Sequence, residues 1–278
     1  MEAADVGLRR AAGENASAPR GVPAASMAIA AFSTIVEWYD FTLYLYMVTV
    51  LARVFFDNDG PSPLMALGGF AFSYFMRPLG AAVFGHIGDR HGRRLMLLLS
   101  MSSMTAAMLA TALLPTRADI GPAAGGLMLL LRCVVAFSVG GEYTGVVAYL
   151  LEGAPRRRRG LIASLAAASS EVGGLLAAGV CAVTAASMDS AELARWGWRA
   201  PFFAGAALAG AVWLLRSTMH ESPVFMLHRS RGALPLSPLR LAFDNYRGAI
   251  VMGFAISALG SITYYVGITY VPAFLLAT

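Results

Sequence analysis

Charged side chains interrupt several apolar stretches of this chain that are long enough to cross a bilayer. Glu37 and Asp40 lie in the first stretch, Arg77 in the second and Arg132 in the fourth. Each lies roughly nine to fourteen residues inside its stretch, ~14–21 Å along an α-helix. A charge at this depth costs ~2.5–3.5 kcal/mol on insertion scales, so it persists only where it pairs or faces a wet cavity. We therefore expect a functional site at mid-depth.

The first-stretch acids suggest proton chemistry. Glu37 and Asp40 are three residues apart and share one face of a helix. A neighbouring acid raises the pKa of a carboxyl group and a neighbouring arginine lowers it. The two effects together would allow the group to bind and release a proton. We predict Asp40 as the proton-coupling acid, Arg132 as its charge partner and Glu37 as the second acid. The alternative is that both acids pair statically with Arg77 or Arg132 and only hold helices together.

Two further acids lie in apolar stretches. Glu142 is ten residues beyond Arg132, ~15 Å along the same helix. It would relay protons or make a structural hydrogen bond, since Gly140 and Gly141 beside it favour close helix packing. Glu171 lies near the middle of the fifth stretch and is either a further titrating acid or a residue that faces a cavity.

Aromatic residues surround the first-stretch acids and could bind a cationic solute. Trp38, Tyr39 and Tyr44 are close to them in sequence, and Tyr264 and Tyr265 lie in the last apolar stretch. Aromatic faces bind quaternary ammonium groups through cation–π attraction, so these residues are candidates for substrate binding. The alternative is ordinary packing between helices.

The composition indicates the elements that position these groups. The chain is 58% hydrophobic and only 13% charged, whereas soluble domains average about 25% charged residues. It is therefore predicted to be an all-α, polytopic membrane protein. Seven spans can be drawn, at about 26–52, 64–87, 95–115, 123–152, 161–186, 199–216 and 248–276.

The arginines predict the orientation. The amino-terminal tail and the turns near 88–94, 153–160 and 217–247 hold three, three, four and five arginines, with Arg216 counted in the last turn. The opposite loops hold one each, and Arg199 borders the last of them. The positive-inside rule thus predicts a cytoplasmic amino terminus in the plasma membrane. The net charge of +5 lies in these turns, which argues against nucleic acid as a partner and for the lipid bilayer.

The predicted organisation is a tail, a bundle, a loop and one more helix. Residues 1–25 form a cytoplasmic tail, and 26–216 form a six-helix transmembrane bundle. The loop 217–247 contains Pro223, Pro235 and Pro238, which we expect to break regular structure. Residues 248–278 form a seventh transmembrane helix, and the chain stops where that helix would emerge. We expect the rest of a second bundle to be absent and to be required for a full transporter.

The turn between the second and third spans carries a motif. It matches the pattern G-x-x-x-D-R-x-G-R-R of the major facilitator superfamily, through Gly85, Asp89, Arg90, Gly92, Arg93 and Arg94. Four other segments resemble signatures of the metabolite:proton symporter family within it. They are E-W-Y-D-F at 37–41, R-P-L-G at 77–80, F-S-V-G-G-E-Y-T-G at 137–145, and Glu152, Pro155, Arg159 and Gly160 in E-x-x-P-x-x-x-R-G.

The resemblance implies the major facilitator fold, with the amino-terminal six-helix bundle and a seventh helix of an incomplete second one. It also implies a gate at the cytoplasmic side. Asp89 would cap a helix of the other half, and Arg93 would pair with Glu152 at the end of the fourth span. Arg159 belongs to the same motif. A cluster that only keeps the turn inside is the alternative.

The predicted function is proton-coupled symport of a small molecule, with the proton as coupling ion and no cofactor. The segments at 137–145 and 263–272 most resemble family members that carry proline and glycine betaine, so small zwitterionic osmolytes are the first choice of substrate. Organic acids such as dicarboxylates, ketoglutarate or shikimate are the alternative, with Arg77 or Arg132 binding the carboxylate. A truncated fragment that transports nothing is a third possibility. No nucleophile–base pair, metal spacing or dinucleotide fingerprint is recognisable in the sequence, so an enzyme is not expected.

Overall fold

The computed structural model of the chain describes residues 22–56, 62–232, 238–264 and 266. By their contacts they divide into two units at residues 234 and 235. The first unit is a bundle of helices that contains every predicted site residue except those of the last apolar stretch. Its helices are, in chain order, Ala24–Phe32, Thr34–Phe55, Ser62–Ser73, Met76–His91, Arg93–Leu113, Arg117–Ile120, Ala123–Gly153, Arg159–Ser187, Ser190–Glu192, Arg199–Ser217 and Pro223–Ser230.

We name the apolar segments of this bundle the first span (24–55), the second (62–91), the third (93–113), the fourth (123–153), the fifth (159–187) and the sixth (199–217). Among the described residues, five helical segments are long and apolar enough to cross a membrane. They are the first, third, fourth, fifth and sixth spans. The second span is two helices that meet at Tyr74 and Phe75.

The turn between the second and third spans is shorter than predicted. We expected it to occupy 88–94, but the second span stays helical through His91 and the next helix begins at Arg93. The turn is therefore Gly92 alone, with φ +113° and ψ 150°. Other residues rarely adopt this conformation, so glycine is required here. Asp89 consequently lies on a helix, one turn before Arg93.

Close helix approach sets the spacing between the second and fourth spans. A Cβ placed on Gly80 would overlap the carbonyl of Phe137, and one placed on Gly140 would overlap the carbonyl of Arg77. Small residues at such crossings let two backbones pack directly, as in many membrane helix pairs. The first span packs mainly on the fifth, and the third packs on both the fourth and the sixth.

Two of the three prolines of the predicted loop begin helices, and Pro235 lies outside the described residues. Pro223 is the first residue of helix Pro223–Ser230, and Pro238 begins helix Pro238–Asn245 in the second unit. A proline is tolerated at the first helical position because its missing N–H has no partner there in any case. In the second unit, helix Pro238–Asn245 meets the next helix at a bend of 90°. That next helix runs from Arg247 to Tyr264, inside the predicted seventh span.

Candidate functional site

The central ion pair joins the first and fourth spans. Arg132 Nη1 donates to Asp40 Oδ2 at 2.8 Å, and Nη2 donates to Oδ1 at 2.9 Å. Both side chains are buried, with 2% and 4% exposed. Parallel bonds of this kind are the strongest geometry for a guanidinium and a carboxylate. The charge of each therefore persists inside the bundle because the other is present.

A looser pair lies beside it. Glu37 Oε1 is 3.7 Å from Arg77 Nη1, and Glu37 is 6% exposed while Arg77 is 32% exposed. The guanidinium of Arg77 also lies 4.4 Å above the ring of Tyr74. Glu37 Oε2 is buried and has no hydrogen-bond partner among the described residues. The two acids of the first span thus have separate arginines, and Glu37 keeps unused hydrogen-bonding capacity.

These four charged groups border one small cavity. Its wall also includes Phe41, Phe70, Ser73, Tyr74, Val135, Ala136 and Val139. The volume is about 20 Å³, close to the roughly 10–15 Å³ that admits one water molecule. The described bundle therefore offers a polar surface to a solute but does not itself enclose one.

Three residues of the predicted aromatic cage, Trp38, Tyr39 and Tyr44, do not line that cavity. The hydroxyl of Tyr39 donates to the Pro201 carbonyl of the sixth span at 2.8 Å, so this side chain points away from the cavity. Tyr44 stacks on Phe70 at 4.8 Å and lies 5.1 Å from the Arg132 guanidinium, so its aromatic faces are already in contact. Trp38 is half-buried and packs edge-on against a neighbouring ring. For Tyr39 and Tyr44, packing prevails over the predicted cage.

Other predicted members are distant or lie beyond the description. The side chain of Tyr264 and the whole of Tyr265 lie outside the described residues. Glu171 is exposed on the fifth span and makes no ion pair with a described residue. The structure therefore does not bring Glu171 to the central pair.

Glu142 has a buried partner that was counted with a cytoplasmic turn in the arginine tally. Arg216, the penultimate residue of the sixth span, is fully buried and makes a two-pronged ion pair with Glu142. Arg216 Nη1 donates to the Leu97 carbonyl at 2.8 Å, and Nη2 donates to the Ser33 hydroxyl. Ser100 donates to Glu142 Oε2 at 2.5 Å. This network connects the first, third, fourth and sixth spans.

Arg216 is the last residue of the predicted sixth span, 199–216, but it was counted with the following turn in the arginine tally because it stands at the end of an apolar run. A useful signal was available, since an acid as deep as Glu142 requires a cation nearby. The sequence could not show which arginine supplies it, because the partner is 74 residues away. Ser33 also marks the break between the two helices of the first span, where its hydroxyl contacts both Arg216 and the Ala30 carbonyl.

The motif turn holds a third cluster. Arg93 Nη1 lies 2.8 Å from Asp89 Oδ1, and Arg93 Nη2 lies 3.3 Å from Glu152 Oε1. The resemblance predicted that Arg93 pairs with Glu152 and that Asp89 caps a helix of the other half. Within the described residues Asp89 contacts Arg93. Ser222 donates to Glu152 Oε2 at 2.5 Å and so ties the segment after the sixth span to the same cluster.

Glu221 is a member of this cluster that the prediction of gating residues omitted. Its carboxylate accepts the backbone N–H of Arg93 at 2.9 Å and that of Arg94 at 3.2 Å. These N–H groups begin the third span, where a helix has unpaired donors and a positive dipole end. A Cβ on Gly92 would overlap Glu221 Oε2. Gly92 therefore provides both the turn and the room for this carboxylate.

The remaining motif residues make fewer contacts. Arg94 also donates from its side chain to the Ser217 carbonyl. Arg90 is exposed in the last turn of its helix, and Gly85 has open space where a Cβ would stand. Arg159 is exposed at the start of the fifth span and makes no ion pair with a described residue.

These helices and charges define a class. The first unit combines long apolar helices, ion pairs buried between them and a cluster of charged residues at one end, which is the arrangement of a polytopic membrane transporter with the major facilitator fold. No cluster of three potential metal ligands occurs within the described ranges. The chain matches the family model described as "Sugar (and other) transporter" over residues 26–233, and it belongs to that family of transporters.

Two curated relatives are similar over most of this chain. The proline/betaine transporter of Salmonella typhimurium is 33% identical over 259 residues, which cover 88% of this chain and 51% of that protein. The alpha-ketoglutarate permease of Escherichia coli is 36% identical over 252 residues, which cover 90% of this chain and 57% of that protein. The chain thus spans about half the length of these relatives. They are transporters, and this chain is not an enzyme.

A solved structure supports the fold. The partially occluded, inward-open structure of the xylose transporter XylE from E. coli matches with a TM-score of 0.70 and 22% identity. The match covers 89% of this chain and 62% of that one. The chain is therefore an all-α, multi-pass membrane protein with the amino-terminal part of the major facilitator fold, as predicted.

Proposed function

We propose that this chain is the amino-terminal half of a proton-coupled symporter for small zwitterionic osmolytes such as proline or betaine. The observation that carries the proposal is the buried Asp40–Arg132 pair at the edge of a small polar cavity. A proton on Asp40 neutralises the carboxylate and weakens its bonds to Arg132. The guanidinium is then free to bind the carboxylate of a zwitterion.

Glu37 and Arg77 complete this half of the site. The Glu37–Arg77 contact is long and Arg77 is partly exposed, so both groups can turn toward a solute at little cost in broken bonds. Glu37 offers a negative charge to the ammonium end of the zwitterion. The second bundle, beyond the present chain, supplies the other wall, since transporter substrates bind near the midplane between repeats.

The proposed orientation has the amino terminus and the Gly92 turn on the cytoplasmic face of the plasma membrane, as the arginine distribution indicates. The cluster of Asp89, Arg93, Glu152 and Glu221 then closes the cytoplasmic side. Opening it requires the Arg93 contacts to separate, which couples the gate to movement of the segment after the sixth span.

An organic-acid substrate is the second candidate, favoured by the similarity to alpha-ketoglutarate permease. In that version Arg77, which is the more exposed arginine, binds one substrate carboxylate and Arg132 the other after Asp40 takes up its proton. The two candidate functions differ in the charge of the transported solute, but in both of them Asp40 binds the proton.

Uptake into proteoliposomes separates these candidates. The chain is reconstituted alone and together with a carboxyl-terminal bundle, taken in turn from the Salmonella proline/betaine transporter and from the E. coli alpha-ketoglutarate permease. Labelled betaine and labelled alpha-ketoglutarate are offered with and without a pH gradient. Gradient-driven betaine accumulation that stops when the gradient collapses is expected in the complemented vesicles. Accumulation of the dicarboxylate alone would favour the second candidate.

A matched pair of variants tests the role of Asp40. Asp40→Asn should remove the response to the gradient, whereas Asp189→Asn, the same change at an exposed position between the fifth and sixth spans, should preserve it. Uptake that ignores the gradient in the unaltered chain would overturn proton coupling. No uptake in any vesicle preparation would favour a chain that transports nothing.

A further inference from the structure

The end of the bundle opposite Gly92 contains a large cavity lined by arginines. Its volume is about 600 Å³, within the roughly 300–1,000 Å³ of small-molecule sites. Four arginines from three separate segments line it, together with one carboxylate, that of Asp119. The arginines are Arg53, Arg117, Arg195 and Arg199.

This convergence is unusual because arginine is scarce on this side of the sequence. The loops predicted to face outward hold one arginine each, and Arg199 borders the last loop. All four of these arginines line the same cavity, although they are up to 146 residues apart in the chain. Like charges repel at short range, and an anion between them relieves that repulsion.

Two of the lining groups have defined positions. Arg199 Nη2 donates to the Leu114 carbonyl at 2.9 Å, and its guanidinium lies 4.4 Å above the ring of Trp198. Asp119 accepts the backbone N–H and the hydroxyl of Thr116, each at 2.8 Å. These bonds hold the pKa of Asp119 below its ordinary value of 3.8. The carboxylate is therefore ionised at neutral pH. Arg117 has a further interaction of its own, and without it the described lining still has three cations, Arg53, Arg195 and Arg199, against one anion.

We propose that this cavity binds a phosphate-bearing anion, either free in solution or as the headgroup of an anionic phospholipid. Guanidinium groups match phosphate oxygens with paired hydrogen bonds, and several of them around one cavity provide the multiple contacts that a phosphate can accept. A position at the end of membrane-spanning helices is also where headgroups lie and where arginines attract acidic lipids. The site is separate from the Asp40 cavity, so it does not depend on the proposed transport function.

Binding measurements with the whole chain test the proposal. In one arm, inorganic phosphate is titrated into the chain in nanodiscs of zwitterionic phosphatidylcholine. In the other, native mass spectrometry counts phosphatidylglycerol molecules retained by the chain in mixed nanodiscs. Binding in the first arm identifies a site open to free phosphate, and binding in the second arm alone identifies a headgroup site. Either supports the proposal.

Variants locate the binding. Arg53→Gln with Arg195→Gln, both at exposed positions, should weaken binding about tenfold or more. Arg157→Gln with Arg158→Gln removes the same charge at the other end of the bundle and should leave it within about twofold. Asp119→Asn should strengthen binding, because the amide can still accept from Thr116 while the opposing charge is gone. This gain cannot arise from misfolding.

Two results would overturn the proposal. The first is no binding in either arm. The second is binding that the Arg53 and Arg195 changes leave as strong as before while the Arg157 and Arg158 changes weaken it.

Discussion

Two buried ion pairs on the fourth span have the same chemistry and different surroundings. Arg132 meets Asp40 through two parallel bonds beside a cavity, whereas Glu142 meets Arg216 inside a network with Ser33, Ser100 and the Leu97 carbonyl. The first pair has few other described contacts. The second is held from four helices. This difference supports the proposal that the central pair changes its protonation and partners, while the Glu142 pair holds the bundle together.

The helical repeat explains why one span serves both. Arg132, Glu142 and Glu152 follow at intervals of ten residues, and ten residues rotate a helix so that successive side chains point about 80° apart. Each charge therefore reaches a different neighbour. Arg132 contacts the first span, Glu142 contacts the sixth and Glu152 contacts Arg93 at the Gly92 turn. Burial decreases only at the last position, where the pair is about one-fifth exposed.

The largest expected effect is on stability. Arg216→Ala leaves Glu142 buried without its cation and should lower the free energy of unfolding by about 3–5 kcal/mol. Arg132→Ala should cost less, about 1–3 kcal/mol, because Asp40 borders a cavity that admits water. Thermal unfolding in detergent compares the two, with Arg240→Ala on an exposed helix as the unchanged control.

A double variant, Glu142→Met with Arg216→Met, should recover much of the loss, since an apolar pair needs no counter-charge. If Arg216→Ala and Arg132→Ala lowered the free energy of unfolding equally, the proposed difference would be contradicted. That difference is between a Glu142–Arg216 pair that stabilises the bundle and an Asp40–Arg132 pair that changes its partners.

The second effect is on coupling. Asp40→Asn cannot take up the proton, so the accumulation ratio across one pH unit, about tenfold for one proton per solute, should fall to about one. Glu142→Gln should retain the gradient response once the amounts of folded protein are matched. Uptake by the complemented proteoliposomes measures both. Loss of coupling in Glu142→Gln, with coupling intact in Asp40→Asn, would reverse the assignment.

The third effect concerns the Gly92 turn and the charged cluster beside it. Gly92→Ala places a Cβ in a positive-φ conformation and against Glu221, and it should destabilise the protein by about 2 kcal/mol or more. Gly121→Ala shares a positive φ, +67°, but has open space around the Cβ, so only about 1 kcal/mol is expected. Urea unfolding gives both values. If the two changes destabilise the protein equally, the Glu221 carboxylate can move away from the added Cβ at no cost in free energy.

The smallest effect tests the pair at the end of the fourth span. Arg93→Gln removes the contacts with Asp89 and Glu152 and should cost about 0.5–1 kcal/mol, because the pair is partly exposed. Arg90 precedes Arg93 by three residues and is exposed, so Arg90→Gln should leave stability unchanged. Limited proteolysis of the segment 217–232 adds a second readout, since cleavage should rise only in Arg93→Gln. Faster cleavage in both variants would indicate a simple charge effect.

Much of the fold was predictable from the sequence. Apolar runs of about 20 residues must be helical in lipid, because every backbone group needs an internal partner. Hence the observed helices follow the first six predicted spans within a few residues, and the family motifs identified the superfamily. The end of the seventh predicted span lies outside the described residues. The same rule could not locate breaks within a span, such as those at Ser33 and at Tyr74, because they depend on contacts with other helices.

The sequence by itself placed Glu37, Asp40, Arg132 and Glu142 inside apolar spans, because hydrophobic flanks decide depth. It did not show that Arg216 is buried or that Glu171 is exposed. Only the tertiary structure decided how those charges pair. Glu142 selects Arg216 rather than Arg132, and Tyr39 turns to Pro201 rather than to the cavity. Four distant arginines also line one cavity. Such choices depend on the rotation and packing of whole helices, which bring together residues many tens of positions apart and which local sequence does not encode.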